Sequence, residues 1–161
     1  MWNPNTLRSD QVTQLNIMST QSIQPIPYLF FNGTCTEALD FYAKLFGGRV
    51  VSTALYGEMP AEFPCPEEAK NRVMNAQLEL PGGAMIYASD CFPGRESAVS
   101  GFMIALSYAT VEEGQNVFDQ LAEGGEVSMP YEPSFWSEKF GMVTDKFGID
   151  WAINGNLMGQ R

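Results

Sequence analysis

Two segments of similar pattern decide the fold: TCTEALDFYAKLFGG at residues 34–48 and TVEEGQNVFDQLAEGG at residues 110–125. Each begins with a threonine that is followed three residues later by a glutamate, which is the capping-box pattern of a helix start. Apolar residues then recur at helical spacing. Each segment ends in a glycine pair, and glycine readily takes the left-handed conformation that stops a helix. The two segments therefore predict two equivalent helices, near residues 35–46 and 111–123.

Apolar runs with strand character flank both predicted helices. One run precedes each helix, at residues 27–31 and 102–108. Three runs follow each helix, at residues 49–55, 72–80 and 84–89 in the first half and at residues 126–131, 140–144 and 150–154 in the second. Gly82-Gly83 and Phe147-Gly148 mark the turns between the last two runs of each half. The order β-α-β-β-β, repeated twice, predicts an α+β fold in which two βαβββ modules form a cupped mixed sheet.

The repeat also predicts the domain organisation. It defines a single domain over residues 25–157, with modules at about 25–92 and 100–157, and residues 1–24 are expected to form a flexible N-terminal extension. The first module carries about ten additional residues, which fall in the irregular loop 57–70 with Glu58 and Met59. A long irregular insertion is either a functional lid or a passive excursion, and the sequence leaves both readings open.

Composition excludes several classes of protein. The chain has 161 residues, a formal net charge of −10 and no histidine. An acidic surface repels phosphate backbones, so nucleic acid is not an expected partner. No apolar stretch approaches the length of a membrane span, so a membrane is not expected either. The three cysteines, Cys35, Cys65 and Cys91, form neither a disulfide pattern nor a zinc motif, which favours the reducing cytoplasm.

The predicted strand at residues 72–80 has two unlike faces. Alternation places one set of side chains under the helix: Met74, Ala76, Leu78 and Leu80. The opposite face carries Val73, Asn75, Gln77 and Glu79. The second face is too polar for a closed core. We interpret it as the lining of a wet concavity, with the outer face of an edge strand as the alternative.

Several short motifs together resemble one known family. They are PYLFFNG at residues 27–33, Phe41-Tyr42, GEMP at residues 57–60, Phe135-Trp136, FGMVTD at residues 140–145 and WAIN at residues 151–154. Over roughly residues 25–156 the chain resembles the PhnB-like branch of the glyoxalase/bleomycin-resistance/dioxygenase superfamily, also called the vicinal oxygen chelate fold. The resemblance implies paired βαβββ units around a cup, usually in a homodimer. Such proteins have often been labelled demethylubiquinone methyltransferases, but the sequence has no glycine-rich strand-to-helix loop for a nucleotide-type cofactor.

The resemblance also implies where a metal would be held in the metal-dependent members. The ligand positions fall on the first strand of each module and on the last strand, which in this sequence are Pro27 or Tyr28, a position near Met103, and Ala152. Proline, methionine and alanine do not hold a hard divalent ion, and a neutral tyrosine is a poor ligand. We therefore expect no metal site of the usual kind and no cofactor.

Three residues are candidates for chemistry without histidine. Glu58 and Glu138 are weak candidates for acid/base catalysis if they point into the cup, and the alternative is that both are solvated loop carboxylates. Cys35 is predicted in the first turn of a helix, where the positive helix end lowers a thiol pKa, although most such cysteines are simply buried. No catalytic triad is readable, because the chain has no histidine to serve as its base.

The ligand-binding residues predicted for the cup are Tyr28, Asn75, Met103, Trp136 and Trp151, with the loop of Glu58 and Met59 closing it. Aromatic rings with a few amides suit a small organic ligand, while ordinary core and interface packing explains them as well. We favour a metal-free small-molecule-binding protein of the PhnB-like kind. The alternative is a lyase- or dioxygenase-like enzyme that uses an atypical carboxylate-based metal or acid/base site.

Overall fold

The two repeated segments form the two long helices of the computed structural model, which describes residues 24–96 and 100–158. Helix α1 covers Cys35–Phe46 and helix α2 covers Val111–Ala122. The expectation of a flexible extension falls on residues 1–24, which apart from Gln24 lie outside the described residues. Within the described ranges, neither helix is long and apolar enough to cross a membrane.

Eight strands form two separate four-stranded sheets. The strands are β1 (Tyr28–Phe31), β2 (Arg49–Leu55), β3 (Val73–Glu79), β4 (Met85–Asp90), β5 (Ile104–Tyr108), β6 (Glu126–Glu132), β7 (Ser137–Thr144) and β8 (Asp150–Leu157). Their orders are β1-β4-β3-β2 and β5-β8-β7-β6. Strand β1 runs parallel to β4, and β5 runs parallel to β8. The other neighbouring pairs are antiparallel. The prediction of an α+β fold built from two βαβββ modules is confirmed, with one mixed sheet in each module.

The loop after β2 is held close to the first sheet. It contains two short 3₁₀ turns, at Tyr56–Glu58 and Glu67–Ala69. The main-chain N–H of Tyr56 donates to Arg72 O at 3.0 Å, and that of Gly57 donates to Lys70 O at 3.0 Å. These bonds place the start of the loop, with Glu58, at the end of the sheet where β3 begins.

One hydrophobic core joins the two modules. Leu29, Leu39 and Leu78 from the first module are buried in the same cluster as Leu121 and Trp151 from the second. Because successive side chains of a strand point to opposite faces of a sheet, each sheet has one face against this core and a second face that points away from the core. We call these the first and second open faces.

The two helices begin in different ways, although their sequences are alike. In α2 the Thr110 hydroxyl accepts a hydrogen bond from the N–H of Glu113 at 3.2 Å, so Thr110 caps the helix. In α1 the Thr34 side chain makes no such bond. Instead Asp90 Oδ1, at the end of β4, accepts from the N–H groups of Gly33 at 2.8 Å and Cys35 at 3.0 Å. The capping box predicted for the first helix is therefore wrong.

A bulge in β3 corrects the predicted faces of that strand. Ala54 pairs with Asn75 but Leu55 pairs with Val73, so Met74 is an extra residue in the ladder. An extra residue reverses the alternation on one side of a bulge. Val73 consequently lies in the core, 1% exposed, rather than on the polar face beside Asn75.

Candidate functional site

The first open face carries aromatic and amide side chains in place of a core. Tyr28 pairs with Tyr87, which in turn pairs with Gln77, so these side chains share the face opposite the buried Leu29. Tyr28 is 38% exposed and Phe30, two residues along the same strand, is 50% exposed. Their rings stack with centroids 5.0 Å apart. The fold thus leaves an aromatic surface on the edge strand β1 of the first sheet.

Tyr28 and Asn75 are brought together as a polar pair on this face. Asn75 Nδ2 donates a hydrogen bond to the Tyr28 hydroxyl oxygen at 3.1 Å. The bond orients the hydroxyl and leaves the carbonyl oxygen of the same amide as an acceptor. Of the five predicted ligand-binding residues, these two are in direct contact.

A pocket of about 380 Å³ opens at the carboxyl end of β1 and β4, next to Phe30. Its lining consists of Phe30, Tyr56, Asp90, Cys91, Phe92 and Arg95. The Tyr56 and Phe92 rings meet edge to face, with centroids 4.7 Å apart. We call this space the Phe30 pocket. It has the apolar walls and the few polar groups that are typical of small-molecule sites.

Asp90 fixes the backbone around the Phe30 pocket. Its carboxylate is buried and accepts three main-chain N–H groups, those of Gly33, Cys35 and Val73, at 2.8, 3.0 and 2.9 Å. Its own carbonyl oxygen accepts from the Tyr56 hydroxyl at 3.0 Å. Four bonds from one residue therefore tie the start of α1, the start of β3 and the wall of the pocket into one arrangement.

The Tyr56 hydroxyl stays neutral. Burial raises the pKa of Tyr56, and the nearby groups Tyr28, Cys91, Asp90 and Cys65 add to the rise. A neutral phenol presents a ring and one polar atom to the pocket rather than a charge. Tyr56 is therefore suited to hold a ligand in place and not to act as a base near neutral pH.

The second open face is built around Trp136. Its Nε1 donates to Asn154 Oδ1 at 3.1 Å, and its ring meets Phe140 with centroids 5.0 Å apart. Ala152 pairs with Met142 on the same face. Met103 comes directly before β5 and is 44% exposed. Trp136 and the residues that it contacts belong to the second module, whereas the Tyr28–Asn75 pair belongs to the first.

Trp151 does not lie on an open face, and its predicted placement there is wrong. It is fully buried, its ring meets Tyr42 and Phe46 at 5.2 Å between centroids, and its Nε1 donates to Asp145 Oδ2 at 2.8 Å. The physical reason is strand alternation. Trp151 and Ile153 point into the core, and Ala152 between them lies on the opposite face of the sheet.

The two candidate carboxylates hold local structure. Glu58 Oε2 accepts from the N–H of Leu55 at 2.7 Å, which closes the 3₁₀ turn after β2. Glu138 Oε1 accepts from Asn156 Nδ2 at 2.7 Å between β7 and β8. Both side chains are exposed. Neither lines the Phe30 pocket.

Cys35 is a core residue and not an activated thiol. It is fully buried, and burial raises the pKa of its thiol to about 12, with the Asp90 carboxylate adding to the rise. The lowered pKa that a helix start can produce is therefore not found here.

The residues at the positions implied for a metal do not fit one. The Tyr28 hydroxyl is engaged by Asn75, Met103 offers a thioether, and Ala152 offers only a methyl group. Over residues 24–96 and 100–158, no three histidine, cysteine, aspartate or glutamate side chains converge as a metal site requires. A hard divalent ion needs several oxygen ligands at about 2.0–2.6 Å, and these side chains do not provide them.

Most residues of the Phe30 pocket are not predicted by the sequence pattern. Phe30 could have been found by alternation, because it stands two residues from Tyr28 in one strand. Phe92 and Arg95 belong to the segment after β4, which has neither repeat nor periodicity. Tyr56 follows β2 and reaches the pocket through the bonds of its loop. Nothing in the linear pattern brings these three residues together.

Comparison with known proteins places the chain in one family. A family model described as 3-demethylubiquinone-9 3-methyltransferase matches residues 23–154. Protein YjdN of Escherichia coli (strain K12) is 35% identical over 136 residues, which covers 80% of this chain and 92% of that protein. Both matches extend over the two modules together.

Solved structures share the fold. Protein PA1353 from Pseudomonas aeruginosa has 38% identity and a TM-score of 0.74, covering 83% of this chain and 97% of the other. A putative 3-demethylubiquinone-9 3-methyltransferase, PhnB protein, from Bacillus cereus has 28% identity and a TM-score of 0.70, over 82% and 98%. A glyoxylase/bleomycin resistance protein/dioxygenase domain from Frankia sp. EAN1pec, at 14% identity, has a TM-score of 0.61 over 86% and 95%, and shows the fold alone. The chain therefore belongs to the PhnB-like family that is described as 3-demethylubiquinone-9 3-methyltransferase.

Proposed function

We propose that this protein binds a small organic molecule on its first open face and holds it without a metal ion. One observation carries the proposal: the fold leaves an aromatic face exposed and sets a pocket of about 380 Å³ beside it. Small-molecule sites are mostly apolar concavities of about 300 to 1,000 Å³ with a few polar anchors. The Tyr28–Asn75 pair next to the exposed ring of Phe30 supplies such anchors.

The chemistry of the donor side chains supports binding without a metal. Met103 and Ala152 stand where the resemblance implies ligands, and the carboxylates of Glu58 and Glu138 are each engaged in a hydrogen bond. The name of the family describes a methyl transfer, for which the described residues offer no glycine-rich cofactor loop. We therefore assign binding, and no reaction, to the first open face.

Metals provide the first test. A tight ligand of the native state raises its stability by about 2.7 kcal/mol at a hundredfold excess over its dissociation constant. We expect zinc, nickel and manganese, added in excess after chelator treatment, to leave the melting temperature unchanged. A rise of several degrees with one of them, abolished by Glu138→Ala or Glu58→Ala, would restore the enzyme alternative.

Native mass spectrometry of protein purified without chelator provides the second test. We expect either the bare chain or the chain with a bound organic molecule, which organic extraction and mass analysis would then identify. A stoichiometric transition metal in the native spectrum would contradict the proposal. Phe30→Ala should reduce any retained organic molecule, whereas Phe63→Ala, at an exposed ring outside the pocket lining, should not.

Two further expectations complete the proposal. Cys35, Cys65 and Cys91 are unpaired, which supports a reducing cytoplasmic location. Exposed apolar side chains, including Phe135 at 90% and Phe102 at 47%, support a homodimer that covers part of them. Light scattering that gives a mass near 17.8 kDa at micromolar concentration would exclude the dimer.

A further inference from the structure

We propose that the Phe30 pocket takes a planar aromatic carboxylate, with its ring against Phe30, Tyr56 and Phe92 and its carboxylate at Arg95. This inference rests on the proposed function and names the ligand class for that site. It depends on the shape of the walls, on the charge of one guanidinium, and on the way in which the pocket's acidic residue is neutralised.

The pocket walls are aromatic rings in fixed positions. The Tyr56 ring is held at one end by its hydroxyl, which bonds to the carbonyl oxygen of Asp90 at 3.0 Å, and it meets Phe92 edge to face at 4.7 Å. Phe30 is backed by Tyr28, onto which it stacks at 5.0 Å, and half of its surface remains open. Rigid rings that are already ordered favour a flat ligand, because stacking then costs little further ordering.

Arg95 supplies a positive charge at this site. Four basic side chains of the described chain form ion pairs, namely Arg49, Lys70, Arg72 and Lys146. Arg95 lines the pocket, and among the described residues no carboxylate lies within ion-pair distance of it. A guanidinium presents parallel N–H donors that match the two oxygens of a carboxylate.

Asp90 does not cancel this positive charge. Its carboxylate faces the start of α1 and accepts the N–H groups of Gly33, Cys35 and Val73. Three such bonds, together with the positive end of the helix, compensate the negative charge where it stands. Arg72, which bonds to Cys91 O at 2.7 Å and lies 3.7 Å from Glu96, is likewise engaged. Arg95 is therefore the charge that a ligand in the pocket meets.

The overall charge of −10 argues for the opposite ligand class, an aromatic cation. Aromatic walls also hold cations through their ring faces. The local arrangement favours the anion, because the field inside a pocket is set mainly by its nearest charges. The experiment separates the two classes with three probes of one shape: 2-naphthoate, its neutral amide 2-naphthamide, and the cation 2-naphthylmethylamine.

We expect 2-naphthoate to bind most tightly of the three, as measured by ligand-observed NMR and by shifts of the Tyr56, Cys91 and Phe92 amide signals. Arg95→Gln should weaken 2-naphthoate about tenfold or more and leave 2-naphthamide unchanged. Arg49→Gln is the matched control, because Arg49 pairs with Glu79 at the opposite end of β3. It should leave all three probes unaffected. Phe92→Ala should weaken 2-naphthoate and 2-naphthamide alike.

Three outcomes would overturn the inference. Tightest binding of 2-naphthylmethylamine would make the site one for cations, and equal loss of 2-naphthoate in Arg95→Gln and Arg49→Gln would remove Arg95 from it. Binding of none of the probes would also reject an aromatic ligand. In each of these cases an organic molecule retained in the native mass spectrum would leave the proposed function standing, whereas a stoichiometric metal would reject that function itself.

Discussion

The thiol of Cys35 is kept protonated by its surroundings. It lies in the first turn of α1 and is fully buried beside the Asp90 carboxylate, which with burial raises its pKa to about 12. The N–H of Cys35 itself is bonded to Asp90 Oδ1. The helix start is thus already occupied by a carboxylate, so its positive end stabilises Asp90 rather than a thiolate.

Substitution of Cys35 should change how stability depends on pH. An unfolded cysteine loses its proton near pH 8.5, whereas the folded thiol keeps it until about pH 12. The stability linked to this proton is complete below the unfolded pKa and is lost as the pH rises toward the folded pKa. In the wild type, the free energy of unfolding should decrease between pH 9 and 11. In Cys35→Ala this decrease should be smaller by up to about 1.4 kcal/mol per pH unit, as measured by urea titration.

Thiol labelling at pH 8 provides the control for this prediction. Cys65 and Cys91 are half-buried and should react with a disulfide reagent in the native protein, while Cys35 should react only in urea. Fast native labelling of Cys35, or a Cys35→Ala curve that runs parallel to the wild-type curve up to pH 11, would contradict a buried and protonated thiol.

At the scale of single residues, the sequence predicts which face of a strand a side chain lies on better than it predicts which distant residues that side chain contacts. Alternation places Asn75 on an open face, the family resemblance places Tyr28 in the cup, and the two side chains are in hydrogen-bond contact. The prediction for Trp151 conflicts with alternation, because neighbouring residues of a strand, here Trp151 and Ala152, cannot share one face. Arg95 and Tyr56 could not be assigned, since the contacts that join them to Phe30 depend on loops without a period.

At the scale of secondary structure, α1 and α2 show that one sequence pattern can be used in two ways. Thr110 caps α2 locally, over three residues. The start of α1 is capped by Asp90, which lies 55 residues from Cys35 along the chain. The repeat therefore predicts both helices and their ends at glycines, but it cannot show a cap that comes from a strand which is distant in sequence.

Substitutions at the three cap positions should separate the two arrangements. Thr110→Ala removes a capping bond and should lower the free energy of unfolding by about 1 kcal/mol. Thr34→Ala, at the equivalent position of α1, should cost less than about 0.5 kcal/mol. Asp90→Ala leaves the N–H groups of Gly33, Cys35 and Val73 without their acceptor, the last two in buried positions, and should cost about 3 kcal/mol or more. Urea unfolding monitored by circular dichroism gives all three values.

The order of these three values is the critical result. Equal losses for Thr34→Ala and Thr110→Ala would mean that Thr34 caps α1 in the same way as Thr110 caps α2. Asp90→Asn serves as the control for side-chain volume, because it keeps the shape but places an NH₂ group near donors. It should recover only part of the loss.

At the scale of the whole molecule, a buried polar cluster joins the two modules. Asp145 of the second module accepts the Tyr42 hydroxyl of α1 at 2.5 Å and Trp151 Nε1 at 2.8 Å on one carboxylate oxygen. Its other oxygen accepts the N–H groups of Phe147 and Ile149 at 2.8 and 3.0 Å. Burial and the Asp145 charge raise the pKa of Tyr42, so its hydroxyl remains a donor. The contact surface between the modules is thus a continuous core with one saturated carboxylate inside it.

This cluster predicts that the two modules unfold together. In Asp145→Asn the new NH₂ group must face either Trp151 Nε1, which can only donate, or the main-chain N–H groups of Phe147 and Ile149. Either orientation leaves buried donors without an acceptor, so we expect a loss of about 2–4 kcal/mol. Because the core is shared, hydrogen-exchange protection should fall equally in β3 of the first module and β7 of the second. Glu37→Gln, which removes only the exposed Lys146–Glu37 pair of 3.5 Å between the modules, should cost less than about 1 kcal/mol. Loss of protection confined to β7 and β8 would mean that the second module opens independently and that the first stays folded without it.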